Sequence, residues 1–185
     1  MTYILDSFVW IEYFHPKWDL SFDLQSLIEA ADPSILITPE IAIYETAQVY
    51  GSSSYDFESF RKDLDVIKNA STIGKCTYEQ THKAGVLRRK FVEKNSGSSG
   101  KSEEFKVPKR NCLPSWVDCL LLAYAIDHYQ KDASVKVMSG DPHFWDFSHP
   151  ELCGKSEVMK QIAKDTGCFI PSMIEYIGVP QEVAK

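Results

Sequence analysis

Four carboxylates stand out by where they fall in the chain: Asp6, Glu45, Asp118 and Asp141. Asp6 ends the apolar run Tyr3-Ile4-Leu5, and Asp141 follows Val135 to Met138 through Ser139-Gly140. Glu45 interrupts the apolar stripe Ile41, Ala42, Val49, and Asp118 lies at the head of a long apolar segment. An acid between a strand and a helix sits at the carboxyl edge of a sheet, where open α/β folds bind ligands. Four acids at one such edge repel each other unless cations neutralise them. Hard oxygen donors, with no His or Cys at ligand spacing, suit Mg²⁺ or Mn²⁺ better than zinc. Such ions activate water and hold the oxygens of an in-line phosphodiester displacement. Each acid also has a structural reading. Asp6 taken alone is a helix cap, Asp118 completes a Ser115-x-x-Asp118 capping box, and Asp141 is a turn or N-cap residue. Glu40, one turn before Glu45, is a first-turn acid favoured by the helix dipole.

The elements that must position these acids alternate along the chain. Short apolar runs at 3–5, 35–37, 135–138 and 168–170 read as strands, with a weaker candidate at 71–76. Helical spacing runs from Phe8, through 20–28, 40–50, 57–67 and 77–94, then from Pro114 to about Tyr129, and over 156–166, with a final helical turn at 172–177. Thr38-Pro39 is a helix start, with Pro39 at the first helical position. This alternation predicts an α/β fold whose mostly parallel sheet is covered on both faces. The segment from Cys119 is apolar nearly all round, so its helix should be central and buried. The run Asn95-Ser-Gly-Ser-Ser-Gly-Lys-Ser breaks every pattern and reads as a flexible surface insertion, about 95–110, within one domain spanning 1–185.

With 185 residues and 44% hydrophobic content the chain can build one ordinary core. The net charge is −6, but its distribution is uneven. From Lys83 to Arg110 nine Lys/Arg stand against three acids, a +6 arm on a −12 remainder. An acidic body with a basic arm suits cations in one place and a polyanion in another. The five cysteines are odd in number and contain no Cys-x-x-Cys pair, which supports neither a disulfide framework nor a zinc knuckle. The N-terminus lacks a signal-peptide pattern and the longest apolar run is too short for a bilayer, so a cytoplasmic protein with no membrane partner is expected. Neither nucleotide fingerprint occurs, Ser7 has no nucleophile elbow, and the five histidines show no metal-ligand spacing.

Four stretches together resemble a known family. Leu5-Asp6-Ser7-Phe8-Val9-Trp10-Ile11, Thr38-Pro39-Glu40-Ile41-Ala42-Ile43-Tyr44-Glu45, Trp116-Val117-Asp118-Cys119-Leu120-Leu121-Leu122-Ala123 and Val137-Met138-Ser139-Gly140-Asp141-Pro142-His143-Phe144 resemble the PIN-domain signature. In order and spacing they look most similar to VapC-type ribonuclease toxins. The resemblance implies a three-layer α/β/α sandwich, Mg²⁺- or Mn²⁺-dependent cleavage of RNA, a homodimer, and an antitoxin partner. It implies that Asp6, Glu45, Asp118 and Asp141 form the catalytic, metal-binding quartet, supported by Ser7 and Ser139. On the basic arm, Arg88, Arg89, Lys90, Lys109 and Arg110 are the expected RNA contacts. The lysine- and serine-rich insertion before Asp118 and the length after Phe144 depart from a compact toxin. The alternative is a PIN-fold RNA-binding or scaffold module that keeps the quartet without turnover.

Overall fold

The computed structural model describes residues 1–17, 20, 23–50, 56–96 and 113–178. Its strands are β1 (Tyr3–Leu5), β2 (Leu36–Pro39), β3 (Thr72–Gly74), β4 (Lys136–Ser139) and β5 (Ile174–Tyr176). They form one sheet in the order β3-β2-β1-β4-β5, with every pairing parallel. Parallel neighbours need crossovers, and helices supply them: α1 (Ser7–Phe14), α2 (Leu24–Ala30), α3 (Glu40–Tyr50), α4 (Phe57–Ala70), α5 (Tyr78–Ser96), α6 (Trp116–Tyr129), α7 (Pro142–Ser148), α8 (Ser156–Thr166) and α9 (Ile170–Met173). A 3-10 turn, Pro33–Ile35, leads into β2.

Side chains alternate across the strands and feed two cores. Ile4 and Val137 join a core built with Leu87 and Phe91 of α5, Leu121, Leu122 and Ile126 of α6, Phe144 and Phe147 of α7, and Met159 and Ile162 of α8. Leu5, Leu36 and Met138 face the other way, against Val9 and Trp10 of α1, Leu24 and Ile28 of α2, and Ile67 of α4. The result is the expected three-layer α/β/α sandwich. As its near-uniform apolarity predicted, α6 is central, and every residue from Cys119 to Ile126 is buried. Its Tyr124 lies against β3 at Gly74, where a Cβ would stand 1.9 Å from the phenol oxygen. Among the described residues no helix is long and apolar enough to cross a membrane.

Strand order fixes where ligands can enter. From β1 the chain steps outward through β2 to β3, then returns to place β4 on the opposite side of β1. The switch point is the gap between the carboxyl ends of β1 and β4. Leu5 pairs with Met138 there, and the Asp6 N–H donates to the Met138 carbonyl at 3.1 Å. The carboxyl-edge crevice at such a switch point is the usual ligand site of an open α/β sheet.

The C-terminal segment differs from expectation. Residues 168–170 are not a strand; helix α9 spans Ile170–Met173, and the final strand is Ile174–Tyr176, beside β4. Pro171 explains the shift, since it cannot donate to a ladder but suits a first helical turn. The weak candidate at 71–76 is a strand, narrowed to Thr72–Gly74. The 95–110 insertion lies almost wholly outside the described residues.

Candidate metal centre

Each acid is delivered to the switch point by a different element. Asp6 follows β1 and caps α1: its Oδ1 accepts the Ser7 backbone N–H at 2.7 Å. Its Oδ2 accepts the Ser139 hydroxyl at 2.5 Å. Ser139 is fully buried at the end of β4, and its Oγ also accepts the Asp141 N–H at 3.0 Å. One hydroxyl therefore ties the first acid to the backbone of the fourth. Ser7 Oγ stands 2.9 Å from Glu45 Oε2 and 3.3 Å from Asp6 Oδ1, so its single proton serves mainly Glu45. Ser139 thus joins Asp6 to the Asp141 backbone, and Ser7 lies between Glu45 and Asp6.

Asp118 and Asp141 close the other side. Asp118 is the acid of a complete capping box: Ser115 N–H donates to its Oδ2 at 2.6 Å and its own N–H donates to Ser115 Oγ at 3.0 Å. Asp141 caps α7, with Pro142 in the first turn, and its Oδ1 accepts the His143 N–H at 2.7 Å. The capping readings of Asp6, Asp118 and Asp141 all hold, and they do not compete with convergence. A cap fixes where a carboxylate sits while its charge stays available to a ligand.

The charges of the four carboxylates act on one another. Burial, above all, pushes the Asp6 carboxyl up to about 7; the Ser139 hydroxyl opposes this, and the charges of Glu45, Asp141 and Asp118 add to it. Burial likewise raises Glu45, with Ser7 opposing and Asp118 and Asp141 adding. Asp118 is raised by burial and by Asp141, against the Ser115 N–H and His143. Every one of the six carboxylate pairs is therefore repulsive. A buried Asp6 with three half-buried acids beside it, held together at this cost, is a fit receptacle for a hard divalent cation.

Two residues beside the acids escaped the sequence reading. His143 Nδ1 lies 3.0 Å from Asp141 Oδ1 and 3.4 Å from Asp118 Oδ2, and one donor atom from each of the three residues falls within a 4.8 Å group. Trp116, two residues before Asp118, is 43% exposed, and its benzo ring lies 3.6 Å from the Cβ position of Gly85 on α5. An Asp-x-His spacing and an aromatic preceding the third acid were the available signals. Neither is specific without the fold. Cys119, adjacent to Asp118, is no nucleophile: it is fully buried, and burial pushes its thiol up to about 12.

The basic residues divide. Arg88 and Arg89 lie exposed on α5, and the Arg88 charge reaches the Cys119 thiol, next to Asp118. Lys90 is turned the other way, into an ion pair with Asp165 of α8. Lys109 and Arg110 lie outside the described residues.

No protein-family model and no curated protein matches the chain. Among solved structures it is similar to VapBC2 from Rickettsia felis, crystallised bound to a DNA fragment from its promoter. The TM-score is 0.51 at 16% identity, covering 96% of this chain and 99% of the other. At that identity the likeness establishes fold alone: a PIN-like α/β/α sandwich, as the sequence resemblance implied.

Proposed function

We propose that this protein is a Mg²⁺- or Mn²⁺-dependent endoribonuclease whose site is Asp6, Glu45, Asp118 and Asp141. The observation that carries the reading is the mutual repulsion of all four carboxylates at the switch point of the sheet. A bound divalent cation supplies Lewis-acid polarisation of a phosphodiester and a more acidic water. The chain's own groups do the rest. Ser139 and Ser7 hold Asp6 and Glu45 in place, and the two helix caps fix Asp118 and Asp141. Arg88 lies near the head of α6 and would attract the RNA backbone. Trp116 offers an exposed aromatic face on which an unpaired base can stack.

The neighbour in the fold comparison is a VapBC assembly, which supports a toxin role with an antitoxin partner; a homodimer accords with the same resemblance. The deciding experiment is cleavage of an end-labelled tRNA and rRNA pool with Mn²⁺ and with EDTA, beside Asp6→Asn. Fragments that need the cation and disappear in the variant are expected. A folded, inhibitor-free protein that cuts nothing would instead be an RNA-binding or scaffold module.

A further inference from the structure

We propose that His143 is a direct ligand of the cation held by Asp118 and Asp141, so that this corner of the site is a mixed nitrogen–oxygen centre favouring Mn²⁺ over Mg²⁺. The inference rests on the reading of the acidic cluster as a divalent-cation centre and adds to it a donor of different chemistry. The fold assembles the corner from two distant elements. Asp118 comes from the first turn of α6, and Asp141 and His143 come from the cap and first turn of α7. The Asp141 cap and Pro142 fix the backbone immediately before the imidazole, and the His143 N–H is itself held by the cap at 2.7 Å.

The ring nitrogen is the informative atom. Nδ1 stands 3.0 Å from one carboxylate and 3.4 Å from another. A neutral imidazole has one N–H and one acceptor nitrogen, and a single N–H cannot satisfy two carboxylates well. Two oxygens converging on one ring nitrogen is the arrangement in which a shared cation resolves the geometry. The side chain is 28% exposed, open enough for ions to exchange. It contrasts with His128, whose ring lies tilted against that of Tyr124, centroids 4.6 Å apart. Mg²⁺ holds to oxygen ligands and water, whereas Mn²⁺, itself an oxygen-preferring ion but a transition metal, takes an imidazole nitrogen beside carboxylates more readily than Mg²⁺ does.

The test uses the full chain stripped with EDTA, with Mn²⁺ alone as the probe. Pulsed EPR of the bound Mn²⁺ should show a directly coordinated nitrogen whose signal changes with ¹⁵N-histidine labelling and is lost in His143→Gln. By calorimetry, the preference for Mn²⁺ over Mg²⁺ should fall about tenfold or more in that variant, with Mg²⁺ affinity and circular dichroism little changed. Bound Mn²⁺ without nitrogen coupling, or an unchanged preference in the variant, overturns the assignment of His143. If RNA cleavage persists in that case, the nuclease reading survives. Failure to bind Mn²⁺ at all overturns both.

Discussion

Ser139 is the residue on which the centre turns. Its buried hydroxyl donates to Asp6 Oδ2 and accepts from the Asp141 backbone, bridging two strand ends. Ser139→Ala leaves a buried acceptor and an N–H without that partner, at a cost of about 1–3 kcal/mol, measurable by urea unfolding. It also removes the interaction that opposes the rise of the Asp6 carboxyl. The pH dependence of the metal-free protein follows from the same carboxyl. Asp6 rises from 3.8 to about 7 on folding, so the folded state binds protons more tightly. Stability should fall as pH climbs from about 4 to about 7 and level off above. Glu45 and Asp118 are shifted in the same direction. In thermal melts with EDTA across that window, Asp6→Asn should flatten the slope, as should saturating Mn²⁺ added to the native chain. An equally steep slope in Asp6→Asn would separate the titration from Asp6.

Elements deliver these residues through close approaches that tolerate no extra atom. At the β4–α7 turn, Phe8 of α1 lies so near Gly140 that a Cβ would meet its ring at 2.2 Å. Gly140→Ala must displace either the ring or the turn that carries Asp141, for about 1–3 kcal/mol. Adding Phe8→Ala should make the double variant less destabilised than the sum of the singles; strict additivity would remove Phe8 as the obstacle. Much of this architecture was legible in the sequence, because strands β1, β2 and β4 are short apolar runs ended by a polar or helix-starting residue. The helix-start places of Asp6, Asp118 and Asp141 were legible for the same reason, because capping signals are local. His143 was not. Its partnership with Asp118 spans the whole of α6 and β4, and no spacing rule reaches that far. β5 was missed because three residues of alternation beside Pro171 resemble the end of a helix as closely as an edge strand.

At the scale of the molecule, charge among the described residues is divided between a repulsive centre and ion pairs that neutralise part of the surface. Lys83 pairs with Asp127 and Lys90 with Asp165, so part of the positive side of α5 is spent in holding α6 and α8. Exposed Arg88, near the head of α6, should therefore contribute to the salt dependence of RNA affinity. Arg88→Ala should flatten the slope of log affinity against log salt, whereas Lys90→Ala should leave it nearly unchanged. A larger effect of Lys90 would show that its pair with Asp165 opens on binding. The three aspartates at helix starts have an evolutionary consequence as well. Asn caps a helix about as well as Asp does, so Asp-to-Asn exchanges at positions 6, 118 and 141 would remove three of the centre's four carboxylates while keeping the hydrogen bonds that begin α1, α6 and α7. Alanine would remove both at once. A lineage of this fold is therefore one kind of conservative exchange away from keeping its shape and surrendering its chemistry.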